Sequence, residues 1–460
     1  VMADAPLSTA APPSISRRNL AILITDILLF ILLLNVLPFD TNANRGLAIL
    51  AFIGILWLTE ALHVTITALL VPLIAVGTGL MDVNTGLRSF ANPIIFLFFG
   101  GFALATALHI QGLDKLIANR LLLAAKGQLM VAVLMLFGAT ALVSMWISNT
   151  ATTAMMLPLA LGVIGNLNLE RERNTYVFIL LGIAYSASIG GLGTLVGSPP
   201  NAIAAAQLGL DFVGWMKYGT PAMIILMPLM VATLYVILRP NLKHHFDIEL
   251  EQLPWTAARR ITIGIFGMTV IGWIFSSQLS QMLGGVKQFD TLVALSAVVL
   301  IGISGVASWR QIQQNTGWGV LLLFGGGLTL SVILRDSGAS AVMAQGIVSI
   351  FGAYHWFIII LAVATFIIFL TELTSNTASA ALLVPVFATV SEALGMPPLL
   401  LTMIIGIGAS CAFMLPVATP PNAIVYGTGF IRQPEMVKVG FWLNIICIIV
   451  VSLLAWYLWY

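Results

Sequence analysis

Apolar residues occupy this chain in long blocks, most of them close to the ~20 residues that cross a bilayer as a helix. The blocks fall at 19–38, 46–62, 64–80, 92–113, 175–195, 219–238, 259–277, 289–308, 318–335, 399–415 and 439–459. Two further stretches are split in the middle, 129–147 with 150–166 and 356–373 with 377–393. Each split falls at the same tripeptide, Ser148-Asn149-Thr150 in the first and Ser375-Asn376-Thr377 in the second. The pattern predicts an all-α polytopic membrane protein with eleven crossings, the two split stretches forming re-entrant hairpins that enter and leave on one side.

Composition supports this class. The 460 residues are 60% hydrophobic and 8% charged, where a soluble domain carries about a quarter charged residues. A membrane β-barrel alternates polar and apolar positions instead. The net charge of +2 gives no reason to expect a nucleic-acid partner. Residues 1–18 read as a cytoplasmic tail, with Arg17-Arg18 ahead of a retained helix rather than a cleaved signal. Threading the eleven crossings with the N-terminus in the cytoplasm leaves only Arg45, Arg88, Lys217, Lys287 and Arg335 of the 19 Lys and Arg outside. That asymmetry favours a cytoplasmic N-terminus, an external C-terminus and hairpins rather than full crossings. Cys411 and Cys447 lie in apolar runs and are expected to be free buried thiols.

The motifs recur in order. Phe99-Gly100-Gly101 returns as Phe324-Gly325-Gly326, the tripeptide at 148–150 returns at 375–377, and GSPPNAIA at 197–204 returns as ATPPNAIV at 418–425. Three matches at nearly constant spacing indicate duplication. An odd number of crossings separates equivalent points, so the two halves run through the membrane in opposite senses, as in many secondary transporters. The chain divides into the tail 1–18, a first transmembrane helix at 19–45, a first inverted repeat at 46–238, a cytoplasmic linker at 239–258 and a second inverted repeat at 259–460.

The chemistry lies in the repeated motifs. Ser, Asn and Thr cap helices by satisfying the first free backbone N–H groups. A helix start carried into the membrane is a seat for an anion, while the amide and hydroxyl oxygens suit a cation. Proline breaks the helical ladder and displaces the residue before it, so Gly197-Ser198-Pro199-Pro200 and Ala418-Thr419-Pro420-Pro421 predict unwound turns with free carbonyls. One Ser-Asn-Thr is ordinarily a cap and one Pro-Pro ordinarily a kink; their duplication in register points to a site. Glu60 and Glu372 are candidate proton sites, for which a structural hydrogen bond or ion pair is the stronger reading. His63, His109 and His355 read as interfacial, and His244-His245 lacks further ligands at metal spacing. No Walker loop, GxSxG, HExxH or nucleophile–base pair is present, so no enzyme activity is expected.

The paired Ser-Asn-Thr and Pro-Pro-Asn motifs, with the run Ser410-Cys411-Ala412-Phe413-Met414-Leu415-Pro416-Val417-Ala418-Thr419-Pro420-Pro421-Asn422, resemble the divalent anion/sodium symporter family. Bacterial sodium-coupled C4-dicarboxylate symporters are the nearest kind. The resemblance implies a homodimer in the bacterial inner membrane, with scaffold and transport domains and elevator-type alternating access. It implies sodium-driven import of succinate, malate or fumarate, with sodium as coupling ion and no organic cofactor. Substrate would meet Asn149, Thr150, Ser198, Ser375, Asn376, Thr377, Thr419 and Pro420. Sodium would lie near Ser144, Ser148, Asn149 and Gly197, and again near Thr371, Asn376 and Ala418. A proton-coupled or exchange carrier of citrate, sulfate or another divalent anion is the alternative, with Glu372 as its proton site.

Overall fold

The computed structural model describes residues 16–165, 167–245 and 254–459. The tail at 1–15 and the middle of the linker, 246–253, lie outside the described residues. All the regular elements described are helical. The first half contains α1 (Arg17–Val36), α2 (Thr41–Thr59), α3 (Val64–Gly77), α4 (Val83–Arg88), α5 (Pro93–Ile110), α6 (Leu113–Ala124), α7 (Leu129–Ser144), α8 (Asn149–Ile164), α9 (Arg173–Gly190), α10 (Pro199–Leu208) and α11 (Phe212–Leu238). The second contains α12 (Ala257–Ile274), α13 (Ser276–Met282), α14 (Phe289–Ser304), α15 (Trp309–Asn315), α16 (Trp318–Asp336), α17 (Ala339–Phe351), α18 (Trp356–Leu370), α19 (Asn376–Ala393), α20 (Pro398–Gly408), α21 (Pro420–Tyr426) and α22 (Gln433–Leu454).

Seven helical stretches among the described residues are long and apolar enough to cross a membrane: α1, α2, α4 with α5, α11, α12, α16 and α22 with its C-terminal extension. The chain is therefore a multi-pass membrane protein. α1 turns Ile24, Leu28, Ile31 and Leu32 outward, leaving Asp26 as its one buried residue. Such a surface is stable only against lipid. By contrast every residue from 175 to 190 in α9 is buried, and α20 is buried from Leu400 onward. A helix apolar all round belongs in the interior, and these two lead directly to the Pro-Pro motifs.

The split stretches each form two helices that meet at the tripeptide. α7 and α8 have 16 residues each, α18 has 15 and α19 has 18. In α8 and α19, Pro158 and Pro385 hold corresponding positions inside the helix.

Several boundaries differ from the expectation. The block at 219–238 extends back to Phe212, because Asp211 Oδ1 accepts the Gly214 N–H at 2.6 Å and caps the helix there. The block at 92–113 stops at Ile110 and turns through Gly112, whose φ of +63° favours glycine. The stretches 113–126 and 336–355, which carry no predicted element, contain the arm helices α6 and α17. α17 and α18 meet at 114°. The block at 399–415 ends as helix at Gly408, and the backbone stays non-helical to Thr419. Cys411 and Cys447 are free and buried.

Among the described residues, one ion pair joins the halves. Arg173, first residue of α9, donates from Nε and Nη2 to both Glu435 oxygens in α22 at 2.9 and 3.0 Å. His244 Nε2 lies 2.9 Å from Glu172 Oε1, so the described edge of the linker is tied to the start of α9.

Candidate functional site

Both tripeptides behave as caps. Ser148 Oγ accepts the Ala151 N–H at 3.3 Å, and Ser375 Oγ accepts the Ala378 N–H at 3.4 Å. Such a cap contributes about 1 kcal/mol. It also fixes where α8 and α19 begin, so their first N–H groups stand at the two tips.

Behind each tip lies a matching set of oxygens. Ser144 Oγ donates to Ala187 O at 2.7 Å and lies 2.7 Å from the Asn149 amide. In the second half Thr371 Oγ1 donates to Ala409 O at 2.9 Å and is in hydrogen-bonding contact with the Asn376 amide. Each cluster joins the end of the helix before the tripeptide, the asparagine within it and the carbonyl where a buried helix unwinds.

The Asn149 amide shows what this cluster suits. With its oxygen turned inward, Oδ1 faces the carbonyls of Ala187 and Gly197 and the Ser144 hydroxyl, all acceptors. With the amide turned over, its nitrogen donates to the same three atoms at 3.1, 3.3 and 2.7 Å. A pocket of converging neutral oxygens satisfies either an amide N–H or a small hard cation. No group of three His, Cys, Asp or Glu that could hold a metal occurs among the described residues, and a cation in this cluster would meet neutral oxygens.

The unwound segments are braced from within. Asn201, the third residue of the first Pro-Pro-Asn, donates from Nδ2 to Gly191 O and Thr194 O, both at 2.8 Å. Asn422 does the same to Ala412 O at 3.1 Å and Leu415 O at 3.0 Å. These positioning residues were absent from the expected site, although their duplication in sequence was the signal. Backbone carbonyls that lose helical partners find new ones here, as buried polar groups require.

The first segment leaves no room for larger residues. A Cβ on Gly191 would stand 2.4 Å from Asn149 Oδ1, and one on Gly197 would stand 2.4 Å from Gly191 O. Gly197→Ala is therefore expected to push the Gly197 carbonyl off the Ser144–Asn149 cluster. On the expectation that sodium lies near Gly197, its half-saturation should rise at least about tenfold, a scale set by about 1.4 kcal/mol of lost geometry. Sodium titration of the purified variant, with unchanged half-saturation as the contrary outcome, checks this.

One cavity of about 580 Å³ joins both tips and both Pro-Pro motifs. Asn149, Thr150, Ser198, Ser375, Asn376, Thr377, Thr419 and Pro420 all line it, with Ser148, Gly197 and Ala418. Ser144 and Thr371 do not reach it; they are fully buried behind the two asparagines. Ser198 Oγ lies 3.3 Å from Ser410 Oγ, joining the two halves across the floor. The helices α8, α10 and α19 begin at the wall, and no Lys or Arg is among the lining residues. Negative charge in the cavity would meet helix N-termini, hydroxyls and amides.

Further wall residues were not foreseen. Leu373 and Val417, beside the second tripeptide and the second Pro-Pro, are 76% and 82% exposed, and both line the cavity. The equivalent positions of the first half are packed: Trp146 lies against Phe266 and Trp273 of α12, and Val196 is buried. Glu60 is at the rim, in left-handed backbone at φ 50° where α2 ends.

Glu372 faces elsewhere. It is buried, and its Oε1 accepts the N–H groups of Phe413 at 2.7 Å and Met414 at 2.9 Å and the Asn444 amide at 2.7 Å. Its Oε2 accepts the Leu415 N–H at 3.1 Å. The carboxylate thus holds open the second unwound segment, and it is not among the residues lining the cavity.

Comparison with known proteins agrees with the geometry. The family model described as the sodium:sulfate symporter transmembrane region matches residues 15–460. An uncharacterized transporter of Haemophilus influenzae is 58% identical over 451 residues, covering 96% of this chain and 98% of that protein. The sodium-dependent dicarboxylate transporter SdcS of Staphylococcus saprophyticus is 33% identical over 477 residues, covering 95% and 90%. The crystal structure of the Alcanivorax borkumensis YdaH transporter superposes with a TM-score of 0.56 at 14% identity, covering 86% of this chain and 98% of that one. The last similarity is one of fold.

Proposed function

This chain belongs to the divalent anion/sodium symporter family, and on that premise we propose that it is a secondary active symporter that imports C4-dicarboxylates such as succinate, malate or fumarate with sodium. The family and the Staphylococcus relative support the broader statement, a sodium-dependent transporter of dicarboxylates or other divalent anions. The observation that carries the finer reading is the single cavity lined by both Ser-Asn-Thr tips and both Pro-Pro motifs, with no cationic side chain in its wall.

The proposed division of labour is as follows. Substrate carboxylates take the donors of Asn149, Thr150, Ser198, Ser375, Asn376, Thr377 and Thr419, beside Pro420. One sodium takes the oxygens of Ser144, Ser148, Asn149 and Gly197, and a second those of Thr371, Asn376 and Ala418. Asn149 and Asn376 serve both ligands, so each ligand orders the group that the other needs. By linkage, sodium and substrate then raise each other's affinity by the same factor.

Movement is proposed to be of the elevator type, in a homodimer of the bacterial inner membrane with the N-terminus cytoplasmic and the C-terminus outside. Support comes from the inverted duplication of the motifs, an arrangement of many secondary transporters in which one body moves against the other around the site. The four donor bonds at Glu372 favour a structural role for it over proton coupling.

Thermal-shift binding of the purified protein to succinate, citrate and sulfate, with sodium or with potassium, tests the substrate class. Stabilisation by succinate in sodium alone is expected. Equal stabilisation in potassium, or a response to sulfate only, would reject the reading.

A further inference from the structure

Each split helix pair is flanked by an arm helix, α6 in the first half and α17 in the second, and each arm leaves a groove. The groove beside α17, about 430 Å³, is lined by side chains such as Ile347, Phe351, Phe366 and Phe387 and by no charged group. The groove beside α6, about 590 Å³, differs in kind. Leu113, Ile117, Leu142, Ile263 and Phe266 line its length, and Arg120 and Trp255 line it as well. Asp114 is the remaining charged residue there, and it is engaged: its Oδ2 lies 2.8 Å from His109 Nδ1 and its Oδ1 accepts the Lys115 N–H at 2.8 Å. Arg120 is exposed and makes no ion pair among the described residues.

We propose that this groove binds one anionic phospholipid, with an acyl chain along Leu142, Ile263 and Phe266 and the phosphate at Arg120. An acyl chain needs an apolar slot whose open end meets the headgroup layer. α6, LDKLIANRLLLA, has the mixed basic and apolar character of a helix lying in that layer. Trp255 is exposed, as an interfacial tryptophan is. The guanidinium of Arg120 is a planar fork that matches phosphate oxygens. The α17 groove, apolar but without a cation, has nothing to select a headgroup and serves as the internal contrast.

The inner wall ties this site to the tip. Ile147 and Trp146 close the groove, and Trp146 also lines the large cavity two residues from Ser148. A bound chain therefore packs against the first tip and restrains its movement relative to α12. Lipid selectivity is read out without transport, so its failure leaves the proposed substrate and coupling untouched.

The test uses full-length protein in phosphatidylcholine vesicles doped with phosphatidylglycerol or phosphatidylcholine carrying brominated acyl chains, which quench nearby tryptophans. The protein has 11 tryptophans, so the difference between the native chain and Trp255→Phe isolates the reporter. Half-quenching of Trp255 is expected at about a fivefold lower mole fraction of phosphatidylglycerol, the scale of one interfacial cation. The preference should vanish in Arg120→Gln, an exposed substitution. Leu142→Phe, which narrows the slot without adding a tryptophan, should reduce quenching by both lipids. Equal quenching by the two lipids, or a preference that survives Arg120→Gln, overturns the proposal.

Discussion

Asn149→Ala and Asn376→Ala are each expected to abolish transport while leaving the protein folded. Each side chain is half-buried at the start of a helix and lies in the cavity wall. Removing Asn149 deletes the group that meets Ser144, Ala187 and Gly197, and removing Asn376 deletes the partner of Thr371. The caps themselves survive, because Ser148 and Ser375 carry them. Loss of a hydrogen bond to a charged ligand costs about 1.5–3 kcal/mol, and here a cation loses an oxygen as well. Coupled loss of both ligands puts the fall in uptake at about 100-fold or more. Uptake into proteoliposomes, with size-exclusion chromatography as the control for folding, measures it. Uptake within a few-fold of the native protein by either variant would reject the site.

The second large effect is at Glu372, where the expected outcome depends on the replacement. Glu372→Leu leaves the N–H groups of Phe413, Met414 and Leu415 and the Asn444 amide without their acceptor. Each buried orphan costs about 1–3 kcal/mol, a large share of a total stability of about 5–15 kcal/mol. Glu372→Leu is therefore expected to unfold readily or to lose transport. Glu372→Gln keeps an acceptor oxygen for the backbone and is expected to retain sodium-driven uptake with a lower melting temperature. A proton-coupled carrier predicts the reverse for glutamine, a folded protein with no uptake. The pair of variants separates a brace from a proton site.

What the sequence made legible was the chemistry carried by repetition. The two tripeptides and two Pro-Pro motifs named the cavity wall before any coordinates, because polar and helix-breaking residues in apolar surroundings have few uses. The extent of the second unwound segment was hidden. Residues 409–415 read as the end of an apolar helix, but Glu372 accepts the backbone N–H groups of Phe413, Met414 and Leu415 from 41 to 43 positions away and is itself held by the Asn444 amide. Tertiary contacts here override a local pattern. The arm helices α6 and α17 were missed because their mixed composition matches neither a crossing nor a loop. Exposure of Leu373 and Val417 into the cavity was equally unreadable, since an apolar residue beside an apolar helix is ordinarily buried.

The proposed function also accounts for the charge of the cavity wall. With no Lys or Arg among the lining residues, a dianion would meet hydroxyls, amides and the N-terminal ends of α8, α10 and α19. Those partial charges are small beside two full negative charges, and on the proposed function co-bound sodium supplies the balance.

The most direct measurement is radiolabelled succinate uptake by purified protein in proteoliposomes, with an inward sodium gradient against matched potassium. The account predicts accumulation above equilibrium with the sodium gradient, and collapse to the passive level when the gradient is dissipated. Uptake that proceeds equally in potassium, or that follows an imposed pH gradient instead, would contradict it.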